Sequence, residues 1–447
     1  VPECNKFESS KVKAVKIGLL GFGTVGGGTL TVLKRNMEEI SRRAGRELKV
    51  VAVAVKDLDK KRNIDTHGMV LTDRMMDIVN NPDIQVIVEL IGGGGDVFDA
   101  VMQALENGKH VVTANKSLIA GQGNEIFKKA SQKGLMVGFE SAVAGGIPII
   151  KLIREGLSAN QIEWFAGIIN GTCNYILSQM ADRQREFDDV LREAQELGYA
   201  EADPGFDIGG VDAAHKLTIL ASIAFGIPLR SESVYIEGIE HVQRTDIEYA
   251  NELGFRMKHL GISRRTGDGL ELRVHPALIP KRNLIASVSG VMNAVLIQAD
   301  AVGQSMFYGP GAGSEPTASA VVADLIDVVR AFTTDPQNRV PHLAFQADSL
   351  INLPILDITQ IETSYYLRMQ AVNRPGVLAA ISSIFGENGI SIDSILQKGH
   401  GQPDELVTVI LMTQNTRERN LMRAVEKAEA LDSVEGQIIW IRVERLP

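Results

Sequence analysis

The chain has 447 residues, more than one hydrophobic core usually serves, so two or three domains are expected. At 45% hydrophobic and 23% charged residues its composition is that of a soluble globular protein, and no apolar run is long enough to span a bilayer. A net charge of −9, spread without acidic or basic blocks, excludes the electrostatic footprint of a nucleic-acid binder.

The N-terminal "VPECNKFESS" is polar and has no apolar signal core. Two cysteines, Cys4 and Cys173, build neither a disulfide framework nor a zinc motif, which points to a reducing, cytoplasmic setting. Strand and helix patterns then alternate. "KAVKIGLLGFG" is a short apolar run stopped by glycines, the pattern of a buried strand entering a turn. "TLTVLKRNMEEISRRAG" has helical periodicity and stops at Gly45, and "LKVVAVAV", "IQVIVELIGGGG" and "KHVVTANK" supply further strands. This alternation predicts an α/β fold with a Rossmann-type, doubly wound parallel sheet over residues 1–148.

Over residues 149–335 the texture changes. Long helical stretches such as "FDDVLREAQELGYA" and "VDAAHKLTILASIAFGIPL" mix with the strand-like "LELRVHPALI" and "AVLIQADAVG", which predicts an α+β lobe closed by the helix "TASAVVADLIDVVRAF". Pro336, Pro341 and Pro354 mark residues 336–358 as a linker. Residues 359–447 follow the order strand, helix, strand, strand, helix, strand, that of an autonomous ferredoxin-like domain.

Gly21, Gly23 and Gly26 in "GFGTVG" match the dinucleotide fingerprint in its required place, after a strand and opening a helix. The first glycine makes the turn, the second lets a pyrophosphate approach, and the third lets helix and sheet pack closely. Phe22, Thr24 and Val25 lie between them on the same cofactor-binding turn. At the end of the second strand, "AVKDLDKKR" sets Lys56, Lys60, Lys61 and Arg62 around Asp57; the cations outnumber the acid, which favours NADP(H), with NAD(H) also usable. The competing reading is a solvated basic loop. Lys116 in "TANKSLIA" stands at the carboxyl end of a strand, the edge where open parallel sheets bind ligands.

"GYAEADPGFDIGGVDAAHK" collects Glu201, Asp203, Asp207 and Asp212 beside Lys216. Carboxylates suit a substrate ammonium group, and a lysine can give a proton to an oxygen that receives a hydride at its carbon. Asp212 and Lys216, four apart, share a helix face, whereas His215 points about 100° away and packs. Helix caps and surface ion pairs are the structural alternative. "NGTCNY" adds Asn170, Thr172, Cys173 and Asn174; with no activating group nearby in sequence, Cys173 reads as a buried, inert thiol.

Together "GLLGFGTVG", "VVTANKSLIA", "ESAVAGGIPII", "GIINGTCNYIL", "GYAEADPGFDIGGVDAAHK" and "GPGAGSEPTASAVVADL" resemble homoserine dehydrogenases, in particular the monofunctional bacterial form with a C-terminal ACT domain. The resemblance runs over nearly the whole chain after residue 15. It implies NAD(P)H-dependent interconversion of aspartate 4-semialdehyde and homoserine, on the route to threonine, methionine and isoleucine, by a homo-oligomer (dimer or tetramer) whose middle lobe serves catalysis and dimerisation. Carried over by position, it implies Lys216 as the catalytic acid and base and Lys116 beside nicotinamide and substrate. Glu201 and Asp212 would grip the substrate with Asp207 in support, Thr172 and Tyr199 would line it, and Gly313 in "GPGAG" would meet the cofactor. It also implies a structural sodium (or potassium) ion held by carbonyl oxygens of Glu140, Val143, Gly145 and Ile147, donors that suit a hard cation.

Two places depart from the family pattern. "IGGGGDVFDA" carries four glycines where relatives typically have two, and "GSEPTAS" puts Glu315 beside the cofactor loop, unfavourable near a phosphate unless it points away. "NRPGVLAAISSIFGENGISIDSI" resembles the ACT signature and implies threonine as an allosteric ligand at an ACT–ACT interface, the alternative being a domain that only aids oligomerisation. Two other functions compete with the dehydrogenase: an amino-acid sensor with a vestigial nucleotide domain, opposed by the intact Glu201, Asp212 and Lys216 set, and a dehydrogenase of a hydroxy acid or prephenate, opposed by the lack of an Arg/His pair.

Overall fold

The computed structural model describes residues 13–60, 62, 65–93, 95–398 and 402–446. Strands β1 (Val15–Leu20), β2 (Leu48–Ala54), β3 (Val70–Thr72), β4 (Val86–Glu89), β5 (His110–Thr113) and β6 (Val137–Gly138) form one sheet. Every pairing in it is parallel and the order is β3-β2-β1-β4-β5-β6. This is the expected doubly wound sheet, and its strand order reverses between β1 and β4, where such sheets bind dinucleotides. The central strands β1 and β4 are almost wholly buried, which is why they read as continuous apolar runs rather than alternating ones.

The helical pattern after β1 is two helices, Thr24–Arg35 and Met37–Ala44, broken at Asn36 and stopped by Gly45 with φ +75°. A left-handed C-cap of this kind is easily adopted only by glycine.

The remaining strands are β7 (Ile162–Ile168), β8 (Tyr235–Ile236), β9 (Phe255–Arg265), β10 (Leu270–Pro280), β11 (Met292–Ala299) and β12 (Gly303–Pro310). They are followed by β13 (Glu362–Val372), β14 (Ile392–Lys398), β15 (Leu406–Thr413), β16 (Thr416–Arg417) and β17 (Val434–Val443). The second sheet runs β12-β11-β7-β9-β10-β17-β13-β15-β14, with β8 beside β10 and β16 beside β13. Its last four strands, with helices Val377–Glu387 and Glu418–Glu429, are the expected ferredoxin-like unit.

That unit is continuous with its neighbours rather than autonomous. β17 joins β10 in parallel through Ala277 with Arg442 and Leu278 with Val443. Along β13 the side chains alternate: Tyr365 and Leu367 pack on the unit's own helices through Ile381, Phe385 and Leu421, whereas Tyr366 packs with Tyr175, Met180 and Ile247. A sheet apolar on both faces needs a second cover, and the helices Gly171–Arg183 and Arg244–Glu252 provide it.

The chain forms two compact units that cut across sequence order. One contains the residues up to Asn160 with Thr218–Ser231 and Gly309–Ile351; the other contains Gln161–Leu217, Glu232–Tyr308 and the residues from Asn352 on. The helix Ser314–Arg330, which sequence order attaches to the middle lobe, lies in the first unit because Val321, Leu325 and Val328 share a core with Leu30 and Leu33. The proline-marked 336–358 stretch is pinned rather than free. Arg339 Nη1 donates to Gly134 O (2.7 Å), His342 Nε2 accepts from Val137 N–H (3.1 Å), and Leu356 N–H donates to Leu270 O (3.0 Å).

Candidate active site

In the first unit the three fingerprint glycines behave differently. Gly21 has φ +97°, and a Cβ there would lie 2.7 Å from Leu90 O; a Cβ on Gly26 would lie 2.5 Å from Gly21 O. A Cβ on Gly23, the N-cap of helix Thr24–Arg35, would meet nothing within 4 Å, so that face is open for a ligand to approach. A second helix start sits against this one. Ser314 Oγ donates to Thr24 O at 2.9 Å, and a Cβ on Gly28 would lie 2.5 Å from Ser314 O. Gly313 caps the second helix with φ +126°, and neither cap makes a side-chain bond to its helix. Two adjacent helix N-termini with N–H groups unsatisfied by caps and positive dipole ends form a cradle that fits a pyrophosphate. Phe22 and Val25 are half-buried in the turn and Thr24 is exposed.

Glu315 points away from this cradle. Its carboxylate forms two hydrogen bonds with Arg35, at 3.0 and 2.7 Å, and the guanidinium holds it below the usual carboxylate range. At the end of β2, Asp57 Oδ1 accepts from the N–H groups of Asp59 (2.9 Å) and Lys60 (3.2 Å), while Arg62 Nη1 donates to Lys60 O at 2.8 Å. The acid is thus turned into its own loop beside the exposed Lys56; Lys61 lies outside the described residues.

Two residues missed by sequence reasoning hold the glycine loop after β4. Buried Glu89 accepts from Ile91 N–H (2.8 Å), Gly92 N–H (3.1 Å) and Thr113 Oγ1 (2.5 Å). Asn115 donates to Gly93 O at 3.0 Å and caps the helix Lys116–Gln132 by accepting from Leu118 N–H. Their only signal in the sequence is their place at strand ends. Lys116 opens that helix, half-buried at the carboxyl edge of β5.

The loop expected to hold a cation is buried and irregular, with positive φ at Ala144 (53°) and Gly145 (31°). Glu140 O accepts from Val143 N–H at 3.4 Å, a long bond, and Ile147 O from Ile149 N–H at 2.7 Å. Among the described residues no hydrogen bond ends on the carbonyls of Val143 or Gly145. Orphaned buried carbonyls are rare, and two in one loop fit a hard cation better than they fit a solvent-free turn. Burial pushes the Glu140 carboxyl up to about 7, although it accepts from the N–H groups of Lys151 and Ile150.

The second unit brings most of the expected substrate residues together. Lys216 Nζ donates to Asp212 Oδ2 at 2.7 Å and to Ile169 O at 2.8 Å; its side chain is 12% exposed and that of Asp212 3%. Two of the three ammonium N–H groups are thereby engaged, and the helix Val211–Phe225 does present both residues on one face. Asn170, which sequence analysis assigned no role, organises the carboxylates. Its Nδ2 donates to Asp207 Oδ1 (2.9 Å) and Asp212 Oδ2 (2.8 Å), while its Oδ1 caps the helix Gly171–Arg183 at Cys173 N–H (2.8 Å). The signal was the N-cap position of an asparagine before a helical run.

Thr172 Oγ1 donates to Tyr199 O at 2.6 Å, which ties these two residues together. Glu201 is exposed, and its carboxylate has no partner among the described residues. His215 lies edge-on to Phe206, in a packing position. Cys173 is fully buried with its thiol donating to Asp207 O; burial and the nearby Asp207 and Asp212 carboxylates push its pKa well up, so no thiolate nucleophile forms. The ACT-like unit has its own cavity of about 320 Å³ around Asn373, Arg374, Gly376 and Gln397, at the start of helix Val377–Glu387. A cavity of about 900 Å³ in the first unit, between Phe127 and Phe345, is lined by none of the expected site residues.

Comparison with known proteins covers the same elements. A family model described as homoserine dehydrogenase matches residues 148–326, and one described as its NAD binding domain matches residues 21–140. An ACT domain model matches residues 365–430. Homoserine dehydrogenase of Pseudomonas aeruginosa is 59% identical over 435 residues, 97% of this chain and 100% of the relative. The crystal structure of a homoserine dehydrogenase from Thiobacillus denitrificans superposes with a TM-score of 0.93 at 60% identity, over 97% of this chain and 99% of that one. A hyperthermophilic archaeal homoserine dehydrogenase in complex with NADPH gives a TM-score of 0.61 at 27% identity, over 72% of this chain and 100% of that one.

Proposed function

The chain belongs to the homoserine dehydrogenase family of NAD(P)-dependent oxidoreductases, and from that premise we propose that Lys216 carries the proton as L-aspartate 4-semialdehyde and L-homoserine are interconverted. The observation that carries the reading is the ammonium of Lys216, fixed by Asp212 and Ile169 O with one N–H left for a substrate oxygen. A nicotinamide cofactor held at the glycine turn would supply or accept the hydride. In reduction, the aldehyde oxygen gains charge as its carbon gains hydride, and Lys216 donates a proton to it; in oxidation, the neutral amine takes the hydroxyl proton. Asp212 and Glu201 grip the hydroxyl and ammonium ends of the substrate, Asp207 supports them, and Thr172 and Tyr199 line the pocket. Asp212 also keeps Lys216 in one rotamer.

On the cofactor side, Gly21, Phe22, Gly23, Thr24, Val25, Gly26 and Gly313 would hold the pyrophosphate, and Lys116 the nicotinamide ribose. Lys56 and Arg62 would favour a 2′-phosphate, because Asp57 is committed to its own turn, so NADP(H) is preferred. The uncapped Val143 and Gly145 carbonyls support a sodium or potassium ion with Glu140 O and Ile147 O completing its shell. Threonine, the end product of one branch of the route, would act through the ACT-unit cavity, where an uncapped helix start suits a carboxylate. A homo-oligomer, dimer or tetramer, completes the reading.

Replacing Lys216 with alanine is expected to lower turnover with homoserine and NADP+ by about 10²–10⁴-fold while leaving cofactor affinity near normal. Undiminished turnover would remove Lys216 from the mechanism, and a direct comparison of NADPH with NADH settles the preference.

A further inference from the structure

The turn Gly209-Gly210 joins the helix Gly205–Ile208, which carries Asp207, to the helix Val211–Phe225, which carries Asp212 and Lys216. It is pressed from one side by the segment that follows β8. Ile239 N–H donates to Ile208 O at 2.8 Å, and a Cβ on Gly238 would lie 2.5 Å from that same oxygen. Gly210, at φ +87°, is so close to this wall that a Cβ there would meet Ile236 at 3.1 Å and the His259 ring at 3.3 Å. His259 is in turn bound to the segment, its Nε2 donating to Glu237 O at 3.0 Å, and burial holds its pKa down.

What fixes Glu237 lies in the C-terminal unit. Arg442 on β17 donates through Nη1 to Glu237 Oε2 at 2.7 Å, and Tyr235 Oη donates to the same oxygen at 2.9 Å. Arg442 is 1% exposed and is anchored by Glu418 of the helix Glu418–Glu429 through two 2.7 Å bonds. Glu237 is the half-exposed end of this arrangement, with a side chain 39% exposed. A buried guanidinium satisfied by Glu418 does not require a second carboxylate for its burial, so the outer pair is available for another purpose.

We propose that Glu237 is a positioning residue for the substrate-binding carboxylates, held by Arg442 of the ACT unit so that residues 236–240 brace the Gly209-Gly210 turn and set Asp207 and Asp212. This rests on the homoserine reading for its kinetic consequence but not for its structural one. One route from the ACT unit to the site thus runs through this ion pair and backbone segment, beside the apolar core the two share, and it is contiguous rather than a distant influence.

The test uses the full chain with Glu237→Ala and Glu237→Gln. Glutamine still accepts from Arg442 and Tyr235, whereas alanine cannot. In Glu237→Ala, hydrogen exchange of the amides of residues 205–212 is expected to accelerate while that of β1 and β4 is unchanged. KM for homoserine is expected to rise roughly 3- to 30-fold with kcat and the KM for NADP+ within a factor of about two. Glu237→Gln is expected to restore both readings. Unchanged exchange at 205–212 in the alanine variant overturns the proposal whatever the enzyme turns over. A glutamine variant as impaired as alanine also overturns it, because the charge rather than the brace would then be responsible. Wild-type protection at 205–212 with loosening in Glu237→Ala but no homoserine turnover by either protein would sink the substrate reading alone.

Discussion

Asn170 shows how much one side chain can organise. It satisfies a helix N-terminus with its oxygen and two carboxylates with its nitrogen, so its removal has two separable costs. Asn170→Ser keeps an oxygen able to cap Cys173 N–H but cannot donate to both Asp207 and Asp212. Losing hydrogen bonds to charged groups costs about 1.5–3 kcal/mol, so kcat/KM for homoserine should fall roughly 10- to 100-fold in Asn170→Ser. The thermal midpoint should move little in that variant and drop clearly in Asn170→Ala, which also loses the cap, worth about 1 kcal/mol. At the other end of the residue scale stands His342, stacked on Phe127 with ring centroids 5.0 Å apart and accepting Val137 N–H at Nε2. Burial, reinforced by the Arg154 and Arg339 charges, pushes its pKa down to about 4. An unfolded histidine titrates near 6.5, so between about pH 6.5 and 4 the unfolded chain binds the extra proton and stability falls as pH falls. The contribution is present above pH 6.5, is lost by pH 4, and amounts to at most about 3 kcal/mol. His342→Gln, whose amide oxygen still accepts from Val137, should flatten that part of the urea-midpoint profile; a profile parallel to wild type would show that the histidine is not its source.

Elements meeting end to end make the cofactor cradle, and glycine spacing separates their roles. A methyl group on Gly28 would sit 2.5 Å from Ser314 O, a backbone atom that cannot swing aside, so Gly28→Ala must push the helix Ser314–Arg330 off its seat. Overpacking of this kind costs about 1–3 kcal/mol. The same methyl group on Gly23 meets no protein atom and only fills space where a pyrophosphate would lie. Both variants are therefore expected to raise the KM for NADP+, but only Gly28→Ala should lower the thermal midpoint; equal midpoints for the two would refute the assignment of Gly28 to helix seating. The asymmetry explains what the sequence could disclose. The strand, turn and helix around "GFGTVG" were legible because glycine spacing and apolar runs are local signals, and the Asp212–Lys216 face was legible because helical periodicity is local too. The seating of the second helix start against the first, Glu315 turned to Arg35, and the carboxylates gathered by Asn170 were not legible. Each depends on a partner 290, 280, 37 or 42 positions away, and no local pattern records such pairings.

Across the whole molecule, the continuous second sheet decides what can be removed. A chain ending near residue 355 looks, from sequence order, like a dehydrogenase freed of its regulatory domain. In the folded protein such a cut strips β17 from β10 and takes Tyr366, Ile410, Met412 and Ile441 out of the core they share with Cys173, Met180 and Ile247. Each large apolar side chain lost from a core forfeits about 1.5–3 kcal/mol of burial. The cut also removes Glu444, whose Oε1 lies 2.5 Å from the 1%-exposed Arg273, and leaves that guanidinium Glu271 as its one carboxylate among the described residues. Breaking a buried pair from one side costs about 3–5 kcal/mol, and the truncation does so while baring the edge of β10 and the helices that covered the removed strands. Marginal stabilities of about 5–15 kcal/mol cannot absorb both losses. The truncated chain is therefore expected to lose the second unit's cooperative unfolding transition and its homoserine turnover together, while the first unit, whose last segment ends at Ile351, keeps its own transition and its affinity for NADP+. Scanning calorimetry with and without NADP+ distinguishes the outcomes. A truncated protein with two transitions and full activity would mean that β10 tolerates a bare edge, and the ACT unit would then be an appendage rather than part of the catalytic fold.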